Sequence, residues 1–160
     1  MHRDFDLAID LKNHGKLKEA NEILVELANK YPENAMINYH CACGLESLGL
    51  DAHAAHYYEN AISKDLPKSD LENAIISLGN TYRTLGKYVR AKQVFEYGIN
   101  IFPKNNALKV FYAMTLYNLK ECEKSIGILL KVLAETSNDI NILKHKNMLK
   151  FYCDKLDVRW

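Results

Sequence analysis

The feature that most constrains this chain is a regular recurrence of small residues. They stand at intervals of 34, 37 and 34 positions: Ala20, Ala54, Ala91 and Ser125. Five positions before each comes the residue where a helix is expected to end, glycine in three copies and lysine in the fourth: Gly15, Gly49, Gly86 and Lys120. A period of this length is typical of solenoids, in which one small unit repeats and packs on its neighbours. The sequence therefore predicts four copies of one unit, with a short insertion between the second and the third.

Each copy is predicted to consist of two helices joined by a turn. Before the turn of the first copy, Leu7 and Ala8 are followed by Leu11, and side chains at this spacing share one face of a helix. Glycine suits the turn because it adopts the left-handed conformation at little cost. In the second helix, four positions after the small residue, we expect a large side chain to fill the space between neighbouring copies: Leu24, Tyr58, Phe95 and Leu129.

Two further helix starts are predicted beyond the regular pattern. The insertion falls between the second and third copies, where Ser69 and Glu72 have the spacing of a capping box that opens the fifth helix. A ninth helix is expected from about 139 to 157, with an apolar stripe along it: Ile142, Leu149, Tyr152 and Leu156. An open solenoid end would expose apolar surface, so this helix is predicted to cap the array. Trp160 either packs on the cap or extends from it.

The third copy carries the pattern most completely: Leu78, Gly79, Tyr82, Gly86, Tyr88, Ala91, Phe95, Gly98 and Pro103. In these residues the chain resembles the tetratricopeptide repeat, and the resemblance extends from about residue 4 to residue 137. It implies an all-α fold, a right-handed superhelical solenoid of about four helical hairpins plus a C-terminal capping helix. The implied single domain, 1–160, holds repeats at about 1–34, 35–68, 72–105 and 106–139, with the capping helix at about 139–157.

The resemblance is incomplete in two respects. The aromatic residue that is common early in the first helix is absent from all four copies, where other residues stand: Asp4, Asn38, Ile75 and Lys109. The fourth copy has Lys120 and Ser137 where the others have glycine and proline. The arrangement of residues 111–117 and 129–134 also resembles a family of small bacterial tetratricopeptide proteins.

Charge and composition argue against several other classes of protein. The 21 Lys and Arg residues nearly balance the 20 Asp and Glu residues, and a net charge of +1 gives no general electrostatic attraction to nucleic acid. No apolar run reaches the roughly 18 residues of a membrane-spanning helix, so no membrane partner is expected. The first residues lack the apolar core of a secretion signal. A cytoplasmic location with reduced cysteines is therefore predicted.

Candidate catalytic and metal-binding groups form no recognisable pattern. His53 and His56 are close enough on one helix to share a metal, but no third ligand is evident, and both are expected on the surface. Cys41 and Cys43 point to nearly opposite sides of a helix and are expected to be buried or half-buried thiols. We therefore predict no cofactor, no metal and no catalytic residue. An enzyme or metal protein that uses these histidines or thiols is the weaker alternative.

The resemblance also implies where a partner binds. In tetratricopeptide arrays the first helix of each hairpin lines a concave surface, which commonly binds a peptide or a helix of another protein. The implied partner-binding residues are Tyr39, Asn73, Asn80, Arg83, Met114, Tyr117 and Asn118. The predicted function is the non-enzymatic binding of a protein or peptide partner, centred on Asn80 and Arg83. The alternative is a self-associating scaffold, for example a homodimer, assembled through its terminal helices or Trp160.

Overall fold

Ten α-helices make up the computed structural model, which describes residues 2–159, and no β-strand occurs among these residues. In chain order they are α1 (His2–Asn13), α2 (Leu17–Lys30), α3 (Ala35–Ser47), α4 (Asp51–Ser63), α5 (Lys68–Thr84), α6 (Tyr88–Ile101), α7 (Asn106–Asn118), α8 (Cys122–Thr136), α9 (Ile140–Lys144) and α10 (Lys146–Tyr152). The all-α fold predicted from the repeat pattern is confirmed. The predictions for Trp160 concern a residue outside the described part of the chain.

The hairpins turn at the residues that the spacing marks. Three glycines have positive φ, of 77°, 72° and 72° in chain order: Gly15, Gly49 and Gly86. Lys120 has the same left-handed conformation at φ 66°, although a side chain makes it less favourable. The backbone N–H of Glu121 donates to the Leu116 carbonyl at 2.9 Å, as the N–H of Lys16 donates to the Leu11 carbonyl at 2.9 Å. The turn geometry therefore persists where the glycine is missing.

The helices pack in chain order within two compact units, one ending at Gly86 and the other beginning at Lys87. In the first unit each helix from α1 to α5 packs against the next. In the second unit α6 packs against α7, α7 against α8, and α8 against α10. The recurring small residues are all buried: Ala20, Ala54, Ala91 and Ser125. The Ser125 hydroxyl donates to the Ala113 carbonyl at 2.6 Å, which satisfies the one polar group among them.

The large residues expected between neighbouring copies divide into two groups. Leu24, Tyr58 and Phe95 are fully buried, as predicted. Leu129 is 37% exposed, so the prediction for the fourth copy was wrong. The difference comes from the next helix along the chain, because Phe95 of α6 stacks on Phe111 of α7 with 6.2 Å between ring centroids. After α8 there is no such partner, since no regular hairpin comes next within the described residues.

The start of α5 differs from the prediction. The helix begins at Lys68, directly after Pro67, and no side chain caps its first turn, so the capping box predicted at Ser69 is wrong. Pro67 holds φ at −53° and has no N–H that needs a partner, so the helix can begin immediately after it. Ser69 lies inside the first turn, where its carbonyl accepts a hydrogen bond from the Asn73 side chain at 3.2 Å.

The C-terminal segment has two short helices where the sequence predicts one. The Asp139 side chain caps α9 by accepting two backbone N–H groups, at 2.8 and 3.2 Å. This helix nevertheless ends at Lys144, and α10 ends at Tyr152. No residue of either helix is buried. Because helices this short draw their stability from packing, so little burial does not support one continuous helix to residue 157.

The contact of this segment with α8 depends on a close backbone approach. A Cβ atom at Gly127 would lie 2.2 Å from the backbone carbonyl oxygen of Cys153, so only glycine fits there. Lys150 of α10 also pairs with Glu135 of α8 at 3.4 Å. A cavity of about 410 Å³ remains beside this contact, with Tyr112 among its lining residues. The segment therefore covers only part of α8.

Candidate partner-binding site

The first helices of the hairpins in the first unit, α1, α3 and α5, present side chains that contact one another. The ring of Phe5 in α1 meets the ring of His40 in α3 edge-on, with 5.4 Å between centroids. The side chain of Asn73 in α5 lies close enough to the Tyr39 hydroxyl of α3 to counteract part of the rise in its pKa, so two of the predicted site residues are brought together. We name this surface the first-helix face and define it by six residues: Phe5, Tyr39, His40, Asn73, Asn80 and Arg83.

Tyr58 of α4 is the centre of a hydrogen-bond network that lies next to this face. The Tyr58 ring is fully buried and lies 6.3 Å from the Tyr39 ring, centroid to centroid. Its hydroxyl donates to the Glu46 carboxylate at 2.6 Å and lies 3.4 Å from the Cys43 sulfur. Burial, reinforced by Cys43, raises the pKa of Tyr58 far above its ordinary value. Tyr58 is therefore a neutral hydrogen-bond donor that fixes the position of Glu46.

The ring of His40 acts as an aromatic packing group. Burial lowers its pKa and the positive charge of Lys12 lowers it further, while Asp70 acts in the opposite direction. Its buried Nδ1 atom has no hydrogen-bond partner among residues 2–159. Burial has the opposite effect on Tyr39 and raises the pKa of its hydroxyl, with a contribution from Cys43. Near neutral pH both rings are uncharged, so the aromatic part of the face offers contact area without charge.

Asn80 and Arg83 occupy the last two turns of α5 and are half-buried. The Arg83 Nε group donates to the Asn80 side-chain oxygen at 3.5 Å, which is a long hydrogen bond. No carboxylate pairs with Arg83 within the described part of the chain. A guanidinium normally binds a carboxylate or carbonyl in a two-pronged arrangement, and here that capacity is unused.

The other three predicted site residues lie on α7 in the second unit. Met114 and Tyr117 are exposed, and Asn118 is half-buried. The side-chain oxygen of Asn118 is buried and has no hydrogen-bond partner among the described residues. Whether these residues bind a partner stays a prediction.

The remaining candidate groups take the positions expected for them. His53 and His56 are exposed, Cys41 is fully buried, and Cys43 is half-buried. Burial raises the pKa of the Cys41 thiol to about 12, so this group is an unreactive thiol at neutral pH. Within residues 2–159 no three His, Cys, Asp or Glu side chains are grouped as metal ligands, and no helix has the length and apolarity to span a membrane. The cytoplasmic location stays a prediction.

Sequence reasoning missed the hydrogen-bonding role of Tyr58 beside this site. For Tyr58 the signal was available, because it stands in the second copy where Leu24 and Phe95 stand in the first and third. A tyrosine at a fully buried position brings a hydroxyl that needs a hydrogen-bond partner. The repeat register already places His40 on a first helix, and its ring contact with Phe5 is seen only in the structure.

Helical hairpins that turn at a left-handed residue and pack in chain order define the class of helical-repeat proteins. Within this class, the family model described as tetratrico peptide repeat matches residues 35–139, more than half of the chain. The chain therefore belongs to the tetratricopeptide repeat family. A comparison with curated proteins finds no match. Membership in the small bacterial family stays a prediction.

Solved structures of known proteins share the fold. MamA, residues 41 to the end, from Desulfovibrio magneticus RS-1 gives a TM-score of 0.74 at 16% identity, covering 96% of this chain and 85% of that one. The ArsTM double mutant of MamA RS-1 gives the same values. A putative kinesin light chain of Podosopora anserina with nearly identical TPR-like repeats gives 0.66 at 15% identity, covering 98% and 87%. At these identities the likeness concerns the fold alone.

Members of this family are typically non-catalytic scaffolds, and their repeats generally bind proteins. The fold of this chain is consistent with a protein–protein interaction module.

Proposed function

We propose that this chain is a non-enzymatic binding module whose first-helix face takes an extended peptide or a segment of a partner protein. The observation that carries the proposal is the half-buried Arg83, which has a hydrogen bond to Asn80 but no carboxylate partner among residues 2–159. The partner would supply the missing acceptor, which is an acidic side chain, a chain-terminal carboxylate or a backbone carbonyl. The hydrogen bonds would orient the partner along α5.

The rest of the first-helix face would supply contact area and further hydrogen bonds. Asn73 lies on the same helix, and its amide has both donor and acceptor groups for a peptide backbone. Phe5 and Tyr39 add aromatic surface. Because the contacts of Phe5 with His40 and of Tyr39 with Asn73 already restrain these side chains, a partner loses little additional side-chain entropy on binding.

The experiment compares three proteins as bait in extracts of the native cell: the unchanged chain, the double variant Asn80→Ala/Arg83→Ala, and the control Arg3→Ala. Arg3 is an exposed arginine of α1, so its loss removes the same charge from outside the face. Proteins that the unchanged chain and the control both enrich should fall about tenfold with the double variant, since truncated hot-spot residues cost at least about 1–2 kcal/mol.

Circular dichroism and thermal unfolding must show that the double variant remains folded. If the folded double variant enriches the same proteins to the same degree as the control, the first-helix face is not the binding site. A fourth protein, Arg83→Lys, separates charge from geometry. It keeps the positive charge but loses the two-pronged donor group, so we expect partial loss of enrichment.

A further inference from the structure

The uncovered side of α8 is built like a surface that is covered elsewhere in the molecule. In the second helix of each hairpin, we compare the burial of three positions, which lie one, four and eight residues after the small residue. In the first three copies they are buried or half-buried: Asn21, Leu24 and Ala28; Ala55, Tyr58 and Ile62; Lys92, Phe95 and Ile99. In α8 the same positions are 46%, 37% and 42% exposed: Ile126, Leu129 and Leu133. We name these three residues the α8 stripe.

The covered copies show which elements these positions contact. Asn21 of α2 lies so close to Gly44 of α3 that a Cβ atom there would be 2.6 Å from the Asn21 side-chain oxygen. Phe95 of α6 stacks on Phe111 of α7. In both cases the neighbour is the first helix of the next hairpin, so these positions form a helix-binding surface.

The helices after α8 leave this surface open. α10 packs on α8 near Gly127 and Glu135. At about 100° per residue, these two positions lie on the side of the helix opposite to the stripe. The contact with α10 therefore leaves the three aliphatic side chains of the stripe partly exposed.

The α8 stripe carries no charge. Three of the four charged residues of α8 lie on the opposite half of the helix, Lys124, Lys131 and Glu135, and Glu123 lies at its flank. The stripe residues are spaced three and four apart, as in the seam of two paired helices. An uncharged apolar seam can meet an identical copy without like-charge repulsion.

Head-to-tail contact between copies is disfavoured by the composition of α1. In α3 the position two after the small residue, Gly44, lies against Asn21 of the preceding hairpin. In α1 the equivalent position holds the exposed Asp10. Seating α1 on the apolar stripe would take this carboxylate out of water, and the stripe offers it no polar partner. Contact between two identical faces avoids this cost.

We propose that the α8 stripe is the contact surface of a homodimer, in which the α8 helices of two copies pack antiparallel across a twofold axis near Leu129. Antiparallel packing follows from the symmetry, because a twofold axis perpendicular to a helix reverses its direction. The stripe is small compared with the roughly 800 Å² that each partner buries in a stable interface, so the dimer forms reversibly at elevated concentration. The proposal uses a different surface from the first-helix face and does not depend on it.

The first test measures self-association by sedimentation velocity over a wide concentration range. It compares the unchanged chain with Ile126→Lys/Leu133→Lys and with the control Val89→Lys. Val89 is 62% exposed on α6, so the control adds a charge at an apolar surface position outside the stripe. We expect the unchanged chain and the control to dimerise alike, and the dissociation constant of the double variant to rise at least about tenfold, because lysines facing across the axis repel each other. Monomer at all concentrations for the unchanged chain, or equal dimerisation by the double variant, overturns the proposal.

The second test locates the axis. In a Cys122→Ser background, Leu129→Cys places one new thiol at the middle of the stripe, and Val89→Cys is the matched control. Mild oxidation with oxidised glutathione should give a disulfide-linked dimer of the Leu129→Cys protein much faster than of the control, as seen by electrophoresis without reductant. Equal rates for the two proteins contradict a twofold axis near Leu129.

Discussion

The helices α4 and α8 occupy the same place in their hairpins but meet different surroundings. Tyr58 of α4 is fully buried and hydrogen-bonded to Glu46, whereas Leu129 at the equivalent position of α8 is exposed. The hairpin of α7 and α8 alone therefore does not bury a large residue at this position. Its burial requires a following first helix, and the short helices α9 and α10 do not act as one.

The comparison predicts that one substitution has unequal consequences at two equivalent leucines. Leu24→Ala removes a fully buried side chain of α2 and should lower the free energy of unfolding by about 2–5 kcal/mol. Leu129→Ala removes an exposed side chain and should lower the free energy of unfolding by less than about 1 kcal/mol. Urea titrations followed by circular dichroism at low protein concentration measure both. Equal losses would show that the stripe is already covered.

The sequence predicted the fold in outline because the repeat spacing is regular. Small residues at the close contacts and left-handed turns recur at fixed intervals, so the hairpins could be located from Ala20, Ala54 and Ala91. The helix ends were predicted less well. At α5, Pro67 rather than Ser69 sets the start, since both residues favour a helix start and only the backbone shows which one prevails. Beyond residue 139 the periodicity is weak and no residue of α9 or α10 is buried.

The second prediction concerns the polar network beside the first-helix face. Tyr58→Phe removes the only hydroxyl of a fully buried ring and leaves the half-buried Glu46 without this donor, so it should cost about 1.5–3 kcal/mol. Tyr112 of α7 donates to Glu96 at 2.8 Å in a more exposed setting, and Tyr112→Phe should cost less. Thermal and urea unfolding of the two variants give the comparison. A larger loss for Tyr112→Phe would contradict the role assigned to burial.

The smallest predicted effect concerns the last hairpin turn. Lys120 holds φ at 66°, a conformation that costs a residue with a side chain about 1 kcal/mol relative to glycine. Lys120→Gly should therefore stabilise the protein by up to about 1 kcal/mol, less the entropy that glycine adds to the unfolded chain. Gly86→Ala, at φ 72°, should destabilise by a similar amount. Urea midpoints of both variants test this, and a destabilised Lys120→Gly would mean that the lysine side chain makes an important contact.

The candidate site was predictable only in part. The repeat register places Tyr39, Asn73, Asn80 and Arg83 on first helices, and the structure shows the first two in contact and the last two paired. The register does not show which polar groups satisfy one another within the protein. That depends on distances between helices, which place the hydroxyl of Tyr58 at Glu46 and leave Arg83 without a carboxylate partner in the described part of the chain.

The left-handed lysine at the last turn shows how a repeat can survive the divergence of its sequence. Losing the glycine costs about 1 kcal/mol, whereas each large buried side chain of a hairpin contributes about 1.5–3 kcal/mol, so such substitutions can accumulate without loss of the hairpin. The sequence pattern of a repeat therefore becomes unrecognisable before its hairpin geometry is lost. The first hairpin lies outside the matched residues 35–139, yet it turns at Gly15 as its neighbours turn. In diverged arrays, counting left-handed turn residues identifies the repeats more reliably than counting matches to the sequence pattern.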